Sequence, residues 1–595
     1  MPQLARNWYF EQHPTSKQGG GPDHDDDSAP GLTSVPAALL LRHGARVLDP
    51  SDAPVIPAGR ARTPRTPRPT VYRARTLLIP ADLLGHQPFV TAVNEALAPA
   101  GMRVVPPDLD RPPVRNRGRA AEVLRRLPRV VALAPAVESG KPVVVDAWTA
   151  LQTLRAAAEV AEAEAGDAKK RPLTRSDVRR IALEHLLFGS AVGPSTEGNG
   201  VTGSPSTEGN SVTGPGGASS YVYRGGDTRA PVAVCLDAPA RGPLADRPSR
   251  RPVVAVLDTG VRAHSWLDVL PDPAHKYTTV NPDGFVMVDW EMQDAIRAGG
   301  ADAAARGDDP RPALKGPWDV PVSDEPLLGE LNDATGHGTF IAGIVRQVAP
   351  DARVLAIRIM HSDDVVNEGD LLCALHLLAD RIAAAEAGDM APMVDVVSLS
   401  LGYFDESSAD VAYSSGLWQV ISLLLELGVA VVAAAGNYST SRRFYPAAFT
   451  LEPSPGPVPL ISVGALNPNG SKALFSNGGR WVWAWAAGAA VVSTFPTDIN
   501  ASRLPDVRVR AHPANQSPAG LPASREALDP DDYHGGFATW SGTSFSAPLL
   551  AAHIAAKLLD RAADPELGLD RPGAAAAAAR IDAALTALKQ IQAQG

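Results

Sequence analysis

Residues 251–260 read RPVVAVLDTG, an apolar run that ends in an aspartate and a glycine turn. A strand that is apolar on both faces is typical of a parallel sheet covered by helices on each side. Four further runs of this kind follow, separated by helical patterns: ARVLAIRI (352–359), VDVVSLSL (394–401), VAVVAAAG (429–436) and LISVGAL (460–466). The alternation predicts an α/β fold with a doubly wound, mostly parallel sheet.

The chain has 595 residues, which is more than one hydrophobic core usually serves. Shifts in composition predict a disordered, polar and then Pro/Arg-rich segment over 1–70. They also predict a smaller α/β domain over 71–190 and a flexible Gly/Ser/Thr linker over 191–230. The domain of the doubly wound sheet then spans 231–565, and a C-terminal helix spans 566–595. The linker contains two copies of one 11-residue motif, PSTEGNGVTGS (194–204) and PSTEGNSVTGP (205–215).

The smaller α/β domain is predicted from alternating short patterns. TLLIP, MRVV, RVVALAP and PVVVDAW have the composition of strands, whereas AWTALQTLRAAAEVAEAEAG and SDVRRIALEHLLFG favour helices. Ser176 is a plausible N-cap for the second of these helices.

Composition also excludes several classes of function. The net charge of −10 and the pI near 5.7 give no basic footprint for nucleic acid. No apolar run is long enough to span a membrane, and the N-terminus lacks the apolar core of a secretory signal, so we expect a cytoplasmic protein. Two cysteines, each in an apolar run, make no disulfide framework and predict buried free thiols.

Three polar residues lie where such a sheet places its active site, in turns beyond the carboxyl ends of strands. Asp258 ends VVAVLD and precedes Thr259-Gly260. His337 lies in TGHGTFIAGIV between two glycines, and Ser544 lies in WSGTSFSAP, where a tight turn enters a helix. Any one of these residues alone would more often be structural, but the three together predict nucleophilic catalysis by serine.

The segments DTG, HGTFIAG and GTSFSAP resemble the three signatures of the subtilisin family (subtilases, peptidase family S8). The resemblance implies a serine protease with a catalytic triad of Asp258, His337 and Ser544. It also implies that Asn437, at the end of AAAGN, donates to the oxyanion. The residues that it implies for substrate binding are Ser400, Leu401 and Gly402 on one strand and Ala434, Ala435 and Gly436 on a facing segment.

The predicted function is therefore a serine endopeptidase that hydrolyses peptide bonds through an acyl-enzyme on Ser544. The absence of a recognisable signal favours a dedicated processing or defence protease over an exported scavenger. The alternative is a catalytically silent binding or scaffold protein on the same fold. The expected partners are protein or peptide substrates, with a regulatory partner acting through the N-terminal domain.

No cofactor or catalytic metal is expected, although the resemblance leaves room for a structural calcium. Asp363 and Asp364 are the candidates for calcium, and a solvated turn explains them equally well. His264 has no second ligand at suitable spacing and is predicted to be a surface loop histidine.

The N-terminal α/β unit is expected to restrain the active site until it is released, with cleavage in or near residues 194–215. The resemblance to subtilases also implies that the loop after Asn437 places Arg442, Arg443 and Phe444 near the floor of the first specificity pocket. The arginines are predicted to face solvent. If one points inward instead, its guanidinium would favour an acidic or polar residue before the cleaved bond. If Phe444 fills the base of the pocket, only small residues would fit there.

Overall fold

The structure is a computed structural model that describes the following residues of the chain. They are 7–11, 35–49, 67–107, 118–136, 143–164, 173–190, 229–234, 237–243, 249–271, 277–279, 283–305, 312–323, 329, 331–385, 389–407, 415–499, 501, 508–509, 525–526, 531–562 and 564–593. None of the helices within these residues combines the length and the apolarity needed to cross a bilayer.

The strands, in chain order, are β1 (Trp8–Phe10), β2 (Ala45–Leu48), β3 (Thr70–Pro80), β4 (Met102–Val105), β5 (Pro128–Pro135), β6 (Ala182–Gly189), β7 (Ala230–Pro231), β8 (Val253–Asp258), β9 (Val269–Pro271), β10 (Tyr277–Thr279), β11 (Val286–Val288), β12 (Arg353–Arg358), β13 (Val365–Asn367), β14 (Val396–Leu399), β15 (Leu401–Gly402), β16 (Ala430–Ala434), β17 (Leu460–Leu466), β18 (Ala484–Ala487), β19 (Val491–Thr494), β20 (Arg508–Val509), β21 (Arg525–Glu526) and β22 (Phe537–Trp540).

The α-helices are α1 (Ala37–Arg42), α2 (Ala81–Leu84), α3 (Gln87–Leu97), α4 (Arg119–Arg126), α5 (Ala147–Glu164), α6 (Arg175–Val178), α7 (Trp290–Ala305), α8 (His337–Val348), α9 (Glu368–Ala383), α10 (Gly416–Glu426), α11 (Thr543–Leu559) and α12 (Ala574–Ala593).

The larger sheet has eight strands in the order β1-β18-β17-β16-β14-β8-β12-β11. Seven of these strands run parallel, and β1 is antiparallel to β18. Strands β8, β14, β16 and β17 are buried along their whole length, as their two-sided apolar sequences require. The predicted α/β fold with a doubly wound, mostly parallel sheet is confirmed.

The second sheet combines strands from both halves of the chain, in the order β13-β6-β3-β5-β4. Strand β2 pairs with β3, and β15 pairs with the end of β6. All of these pairings are antiparallel. Strand β6 therefore begins in the N-terminal unit and ends between two strands of the larger unit.

Two of the predicted elements of the N-terminal unit are wrong. IALEHLLFG, predicted as part of a helix, forms strand β6, and the helix before it is the single turn α6, capped by Thr174 rather than by Ser176. The described part of PVVVDAW, residues 143–146, is not a strand and leads directly into α5. Because β6 lies between neighbouring strands, its run of buried side chains has no helical period.

The segment 1–70 was predicted to be disordered, and for its described residues this is wrong. Strand β1 joins the edge of the larger sheet, while α1 and β2 lie against the second sheet. Arg229 and Ala230, which the prediction assigned to the linker, are also ordered. The Arg229 side chain is buried and donates to the carbonyl oxygens of Asn332, Asp333 and Thr335. The repeat at 194–215 lies outside the described residues.

The side chain of Cys373 is half-buried rather than buried, and Cys235 lies outside the described residues. Residues 301–305 continue helix α7.

Candidate active site

Asp258 and His337 form a buried pair at the carboxyl edge of the larger sheet. Asp258 is the last residue of β8, which lies between β12 and β14. His337 is the first residue of α8, and its Nδ1 lies 2.8 and 2.9 Å from the two carboxylate oxygens of Asp258. This contact fixes the orientation of the imidazole and leaves Nε2 for proton transfer.

Ser544 is the second residue of α11 and is fully buried. Its Oγ donates to the carbonyl oxygen of Ser400 at 3.2 Å, and Nε2 of His337 has no hydrogen-bond partner among the described residues. The structure thus brings Asp258 and His337 together but does not form the serine–histidine hydrogen bond of the predicted triad. Such bonds are often long or misaligned before substrate is held in place.

Aromatic side chains surround the histidine. The rings of Trp540 and Phe545 each lie 5.5 Å from the ring of His337. Phe545 directly follows Ser544, so its packing against His337 and Phe340 brings the start of α11 close to the start of α8. These aromatic side chains are buried, and such a low-dielectric environment strengthens electrostatic interactions within the site.

Asn437 is oriented by the start of α11. Its Oδ1 accepts hydrogen bonds from the backbone N–H and from Oγ1 of Thr543, at 2.9 and 3.0 Å. Its Nδ2 is thereby directed to the carbonyl oxygen of Ser190, which also accepts the backbone N–H of Ser544 at 3.1 Å. Two donors converge on one carbonyl oxygen, which is the arrangement that stabilises a developing oxyanion.

The end of β6 occupies the cleft beside these residues. The N–H of Ser190 donates to the carbonyl oxygen of Ser400 at 2.9 Å, and Leu401 and Gly402 pair with Gly189 and Phe188. On its other side β6 pairs with β13. The predicted substrate-binding strand Ser400–Gly402 therefore holds a strand of the same chain.

The second predicted binding segment is engaged within the fold. Ala434 pairs with Val463, the N–H of Ala435 donates to the carbonyl oxygen of Val463, and the N–H of Gly436 donates to Oγ1 of Thr543 at 3.0 Å. The backbone N–H groups of Ala435 and Gly436 are therefore already bonded within the fold.

Phe444 fills the space between the two predicted substrate-binding segments, 400–402 and 434–436. Its side chain is fully buried, and a Cβ added to Gly402 would lie 2.3 Å from its Cε1. A Cβ at Gly436 would lie 3.0 Å from its Cδ1. The ring thus reaches both segments, and the absence of side chains at the two glycines leaves room for it.

The two arginines before Phe444 do not both face solvent as predicted. Arg442 is buried, stacks over the ring of Phe404 at 4.7 Å and donates to the carbonyl oxygens of Pro69 and Asp405. Arg443 is half-buried and contacts Tyr445. Neither contact involves the residues at the end of β6.

Asp319 is a positioning residue that the sequence reasoning missed. It accepts the N–H of Gly336, directly before His337, at 2.6 Å, and its own N–H donates to the carbonyl oxygen of Val261. Burial raises the pKa of Asp319 to about 6, although Arg358 opposes this shift. Asp319 thus connects the turn after Asp258 to the turn before His337. Asp319 lies between the motifs of Asp258 and His337 in the sequence but belongs to neither, so only these contacts reveal its role.

His185 of β6 connects the N-terminal unit to the larger unit. Its Nδ1 lies 3.0 Å from Glu368 and its Nε2 lies 2.9 Å from Glu406. Burial alone would lower the pKa of His185, but the hydrogen bonds to the two glutamates outweigh burial and raise the pKa well above its ordinary value. Burial also favours a higher pKa for Glu406, yet its bond to His185 holds that pKa below the usual range.

The same histidine belongs to a group with metal-compatible spacing, together with Asp405 and Glu406. Because both ring nitrogens of His185 already have carboxylate partners, these contacts describe an ion-pair cluster rather than a metal site.

The remaining sequence candidates also differ from expectation. His264 is buried rather than on a surface loop; its Nε2 contacts the carbonyl oxygen of Gly536 at 2.8 Å, and burial lowers its pKa to about 4. Asp363 and Asp364 are buried too, so the solvated turn is wrong. Asp363 is paired with Arg42 and His43, both at 2.9 Å. A guanidinium and an imidazole beside Asp363 do not fit a calcium site, which needs oxygen ligands.

Comparison with known proteins gives consistent matches. The family model "Subtilase family" matches residues 249–577. Thermitase of Thermoactinomyces vulgaris is 30% identical over 220 residues, covering 35% of this chain and 67% of thermitase. A thermophilic serine proteinase of Bacillus sp. strain AK1 is 31% identical over 27% of this chain and 36% of that protein, and subtilisin DY of Bacillus licheniformis is 29% identical over 28% and 56%.

The chain thus spans between about a third and two thirds of the length of these relatives. A cold-adapted subtilisin-like serine proteinase of known structure covers 56% of this chain and 82% of its own, with 17% identity and a TM-score of 0.32, too weak a likeness to bear on the fold.

Proposed function

Because the chain belongs to the subtilase family, we propose that it is a serine endopeptidase acting on proteins or peptides, with Asp258, His337 and Ser544 as its catalytic triad. The observation that carries this proposal is the convergence of two donors, Ser544 N–H and Asn437 Nδ2, on one carbonyl oxygen beside the Asp258–His337 pair. A peptide carbonyl held in this way is placed for attack by Ser544.

In the proposed mechanism His337 takes the proton of the Ser544 hydroxyl as the oxygen attacks the carbonyl carbon. Asp258 stabilises the imidazolium that forms, and Asn437 with the Ser544 N–H stabilises the oxyanion. His337 then protonates the leaving amine, and water hydrolyses the acyl-enzyme by the reverse sequence. The Ser544 Oγ must first turn from the Ser400 carbonyl toward Nε2 of His337.

We propose further that the N-terminal unit restrains the enzyme by occupying its cleft. Strand β6 lies between β13 and β15 as a substrate strand would, and its Ser190 carbonyl is the group that the oxyanion donors hold. The bond that follows Ser190 is then the first one presented for cleavage. This places the expected self-cleavage just before the repeat, close to the region that the sequence favoured.

The residue accepted immediately before the cleaved bond is proposed to be small. Phe444 fills the base of the pocket between Gly402 and Gly436, and the residue that occupies the position in this chain is a serine. An occupied cleft and a narrow specificity support a dedicated processing or defence role. This role agrees with the cytoplasmic location proposed from the sequence.

A catalytically silent binding protein is the competing function, and the bond from Ser544 to Ser400 is the observation that favours it. Reaction with a fluorophosphonate decides between the two, since only an activated serine is labelled. We expect labelling of the full-length chain at Ser544 and a new amino terminus at Ala191, with neither in a Ser544→Ala variant. Absence of labelling together with an intact chain would support the silent protein.

A further inference from the structure

Gly189, the second residue before the proposed cleavage site, is held closely by the turn at Asp364. Its N–H donates to the carbonyl oxygen of Asp364 at 3.1 Å, while Leu401 pairs with it from the other side. A Cβ added to Gly189 would lie 2.0 Å from Oδ1 of Asp364 and 3.2 Å from Cε of Met360. The first of these separations is far shorter than any contact between non-bonded atoms, so a side chain at this position requires Asp364 to move.

The turn that carries Asp364 leaves little freedom to move. The N–H of His361 donates to the carbonyl oxygen of Val365, and the N–H of Asp364 donates to that of His361, at 2.9 and 3.1 Å. Asp364 has a φ of 69°, and its neighbour Asp363 is anchored to Arg42 and His43. The Asp364 side chain therefore lies on a backbone fixed at both ends.

The carboxyl group of Asp364 is buried, and neither of its oxygens has a hydrogen-bond partner among the described residues. Burial, followed by the charges of Asp333, Asp258 and Asp363, raises its pKa well above the ordinary value. An unpartnered polar group that faces the substrate strand is costly to the fold, and its steric effect on that strand offers a reason for its presence.

We propose that Asp364 is a specificity-determining residue that restricts the second position before the cleaved bond to glycine. The residue immediately before the cleaved bond is proposed to be small. The two restrictions together define the substrate class as peptides in which a glycine and then a small residue precede the cleaved bond. The inference rests on the proposed endopeptidase function.

The size of the effect follows from packing. Forcing one extra carbon into a close-packed site usually costs about 1–3 kcal/mol, which corresponds to a factor of roughly 10–100 in rate when the clash persists in the transition state. Alanine is the smallest residue that tests this, because it adds only the Cβ. Replacing Asp364 by glycine removes the clashing group and tolerates the positive φ.

The test uses the full-length chain and two hexapeptides, Leu-Leu-Phe-Gly-Ser-Ala and Leu-Leu-Phe-Ala-Ser-Ala. We expect Gly189→Ala to slow self-cleavage after Ser190 by about 10- to 100-fold, and Asp364→Gly to restore it in that background. After self-cleavage, the wild-type protein should prefer the glycine peptide by a similar factor in kcat/KM. In the Asp364→Gly variant that preference should fall to about threefold or less.

Asp364→Asn is the matched control, because it removes the acid but keeps the volume and tolerates the same φ. The glycine preference should persist in this variant; its loss would mean that charge, not size, sets the specificity and would overturn the proposal. Equal hydrolysis of both peptides by the wild type, or an unchanged preference in Asp364→Gly, would also overturn it. A wild-type chain that neither cleaves itself nor reacts with a fluorophosphonate would instead overturn the endopeptidase function.

Discussion

The backbone N–H of Ser544 donates to the carbonyl oxygen of Ser190 across 3.1 Å. Nδ2 of Asn437 donates to the same oxygen. One residue of the N-terminal unit thus occupies the position that the proposed mechanism assigns to a substrate carbonyl.

Ser544→Ala should abolish hydrolysis and leave the fold intact. Loss of the nucleophile from a triad of this kind lowers turnover by about 10⁶. The removed oxygen makes only one hydrogen bond as a donor, to the Ser400 carbonyl, so little stability should be lost. Turnover of a peptide substrate and the thermal midpoint measure the two effects. Retention of a tenth of the activity would show that another nucleophile operates.

Asn437→Ala should lower kcat by about 10²–10³ with little change in KM, because the oxyanion that Nδ2 stabilises forms only beyond the ground state. Thr543 would lose two hydrogen bonds in this variant. Thr543→Val is therefore the companion variant, since it leaves the amide in place but removes the side-chain bond to Asn437 and the bond that Oγ1 accepts from the Gly436 N–H. An effect of Asn437→Ala confined to KM would contradict the assignment.

Phe444→Leu should broaden the first specificity pocket. The ring reaches both Gly402 and Gly436, so a smaller side chain frees volume at the base. We expect kcat/KM to rise about tenfold for peptides with valine or leucine before the cleaved bond, relative to serine. Leucine is preferred to alanine as the replacement because truncating a buried phenylalanine to alanine costs about 3–5 kcal/mol.

A peptide library provides the measurement for this variant. Preference of the wild-type enzyme for large aromatic residues at the first position would show that Phe444 does not limit the pocket. Arg443→Leu serves as the control, because it changes the adjacent, half-buried side chain and should leave the preference unaltered.

The hold of the N-terminal unit on the cleft should weaken at alkaline pH. The pKa of His185 is raised well above its ordinary value. The stabilisation from its ion pairs with Glu368 and Glu406 is therefore fully present below that ordinary value and is lost as the pH rises through the raised pKa. The pKa of Glu406 is lowered, so its contribution is lost only as the pH falls through that lowered value. The interaction is therefore strongest between these two limits.

His185→Gln should raise the rate of fluorophosphonate labelling of the uncut chain at neutral pH by on the order of tenfold, since it removes charge-assisted bonds that hold β6. The ratio of variant to wild-type rates should approach one at alkaline pH. His534→Gln, which changes an exposed histidine paired with Asp532, is the control. A ratio that does not vary with pH would contradict the role of His185.

The sequence was most informative where function is encoded in short motifs. Asp258, His337 and Asn437 each lie within a few residues of the turn that positions them, so the motif itself indicates where the side chain lies. The two-sided apolar strands likewise predicted the larger sheet, because burial on both faces leaves a local signature.

Residues whose roles depend on distant partners were not predictable. Asp319 acts through Gly336, and His185 acts through Glu368 and Glu406. The leucines and the alanine of IALEHLLFG favour a helix, and only pairing with the neighbouring strands β3, β13 and β15 makes the segment a strand. The pairing of strand β1 left no sequence signal beyond three apolar aromatic residues.

Strand β1 has a consequence for the protein after cleavage. It pairs with β18, the backbone N–H and carbonyl oxygen of Phe10 both contact the Gln592 side chain of α12, and the Glu11 carboxylate accepts the indole N–H of Trp485. A cut after Ser190 would therefore leave the N-terminal fragment anchored at a second place, far along the chain from the cleft. Rebinding of β6 would be governed by an effective concentration set by the tether, in the millimolar range for short flexible connections, rather than by dilution. Inhibition by the cleaved fragment should accordingly be independent of protein concentration for as long as β1 remains in the sheet.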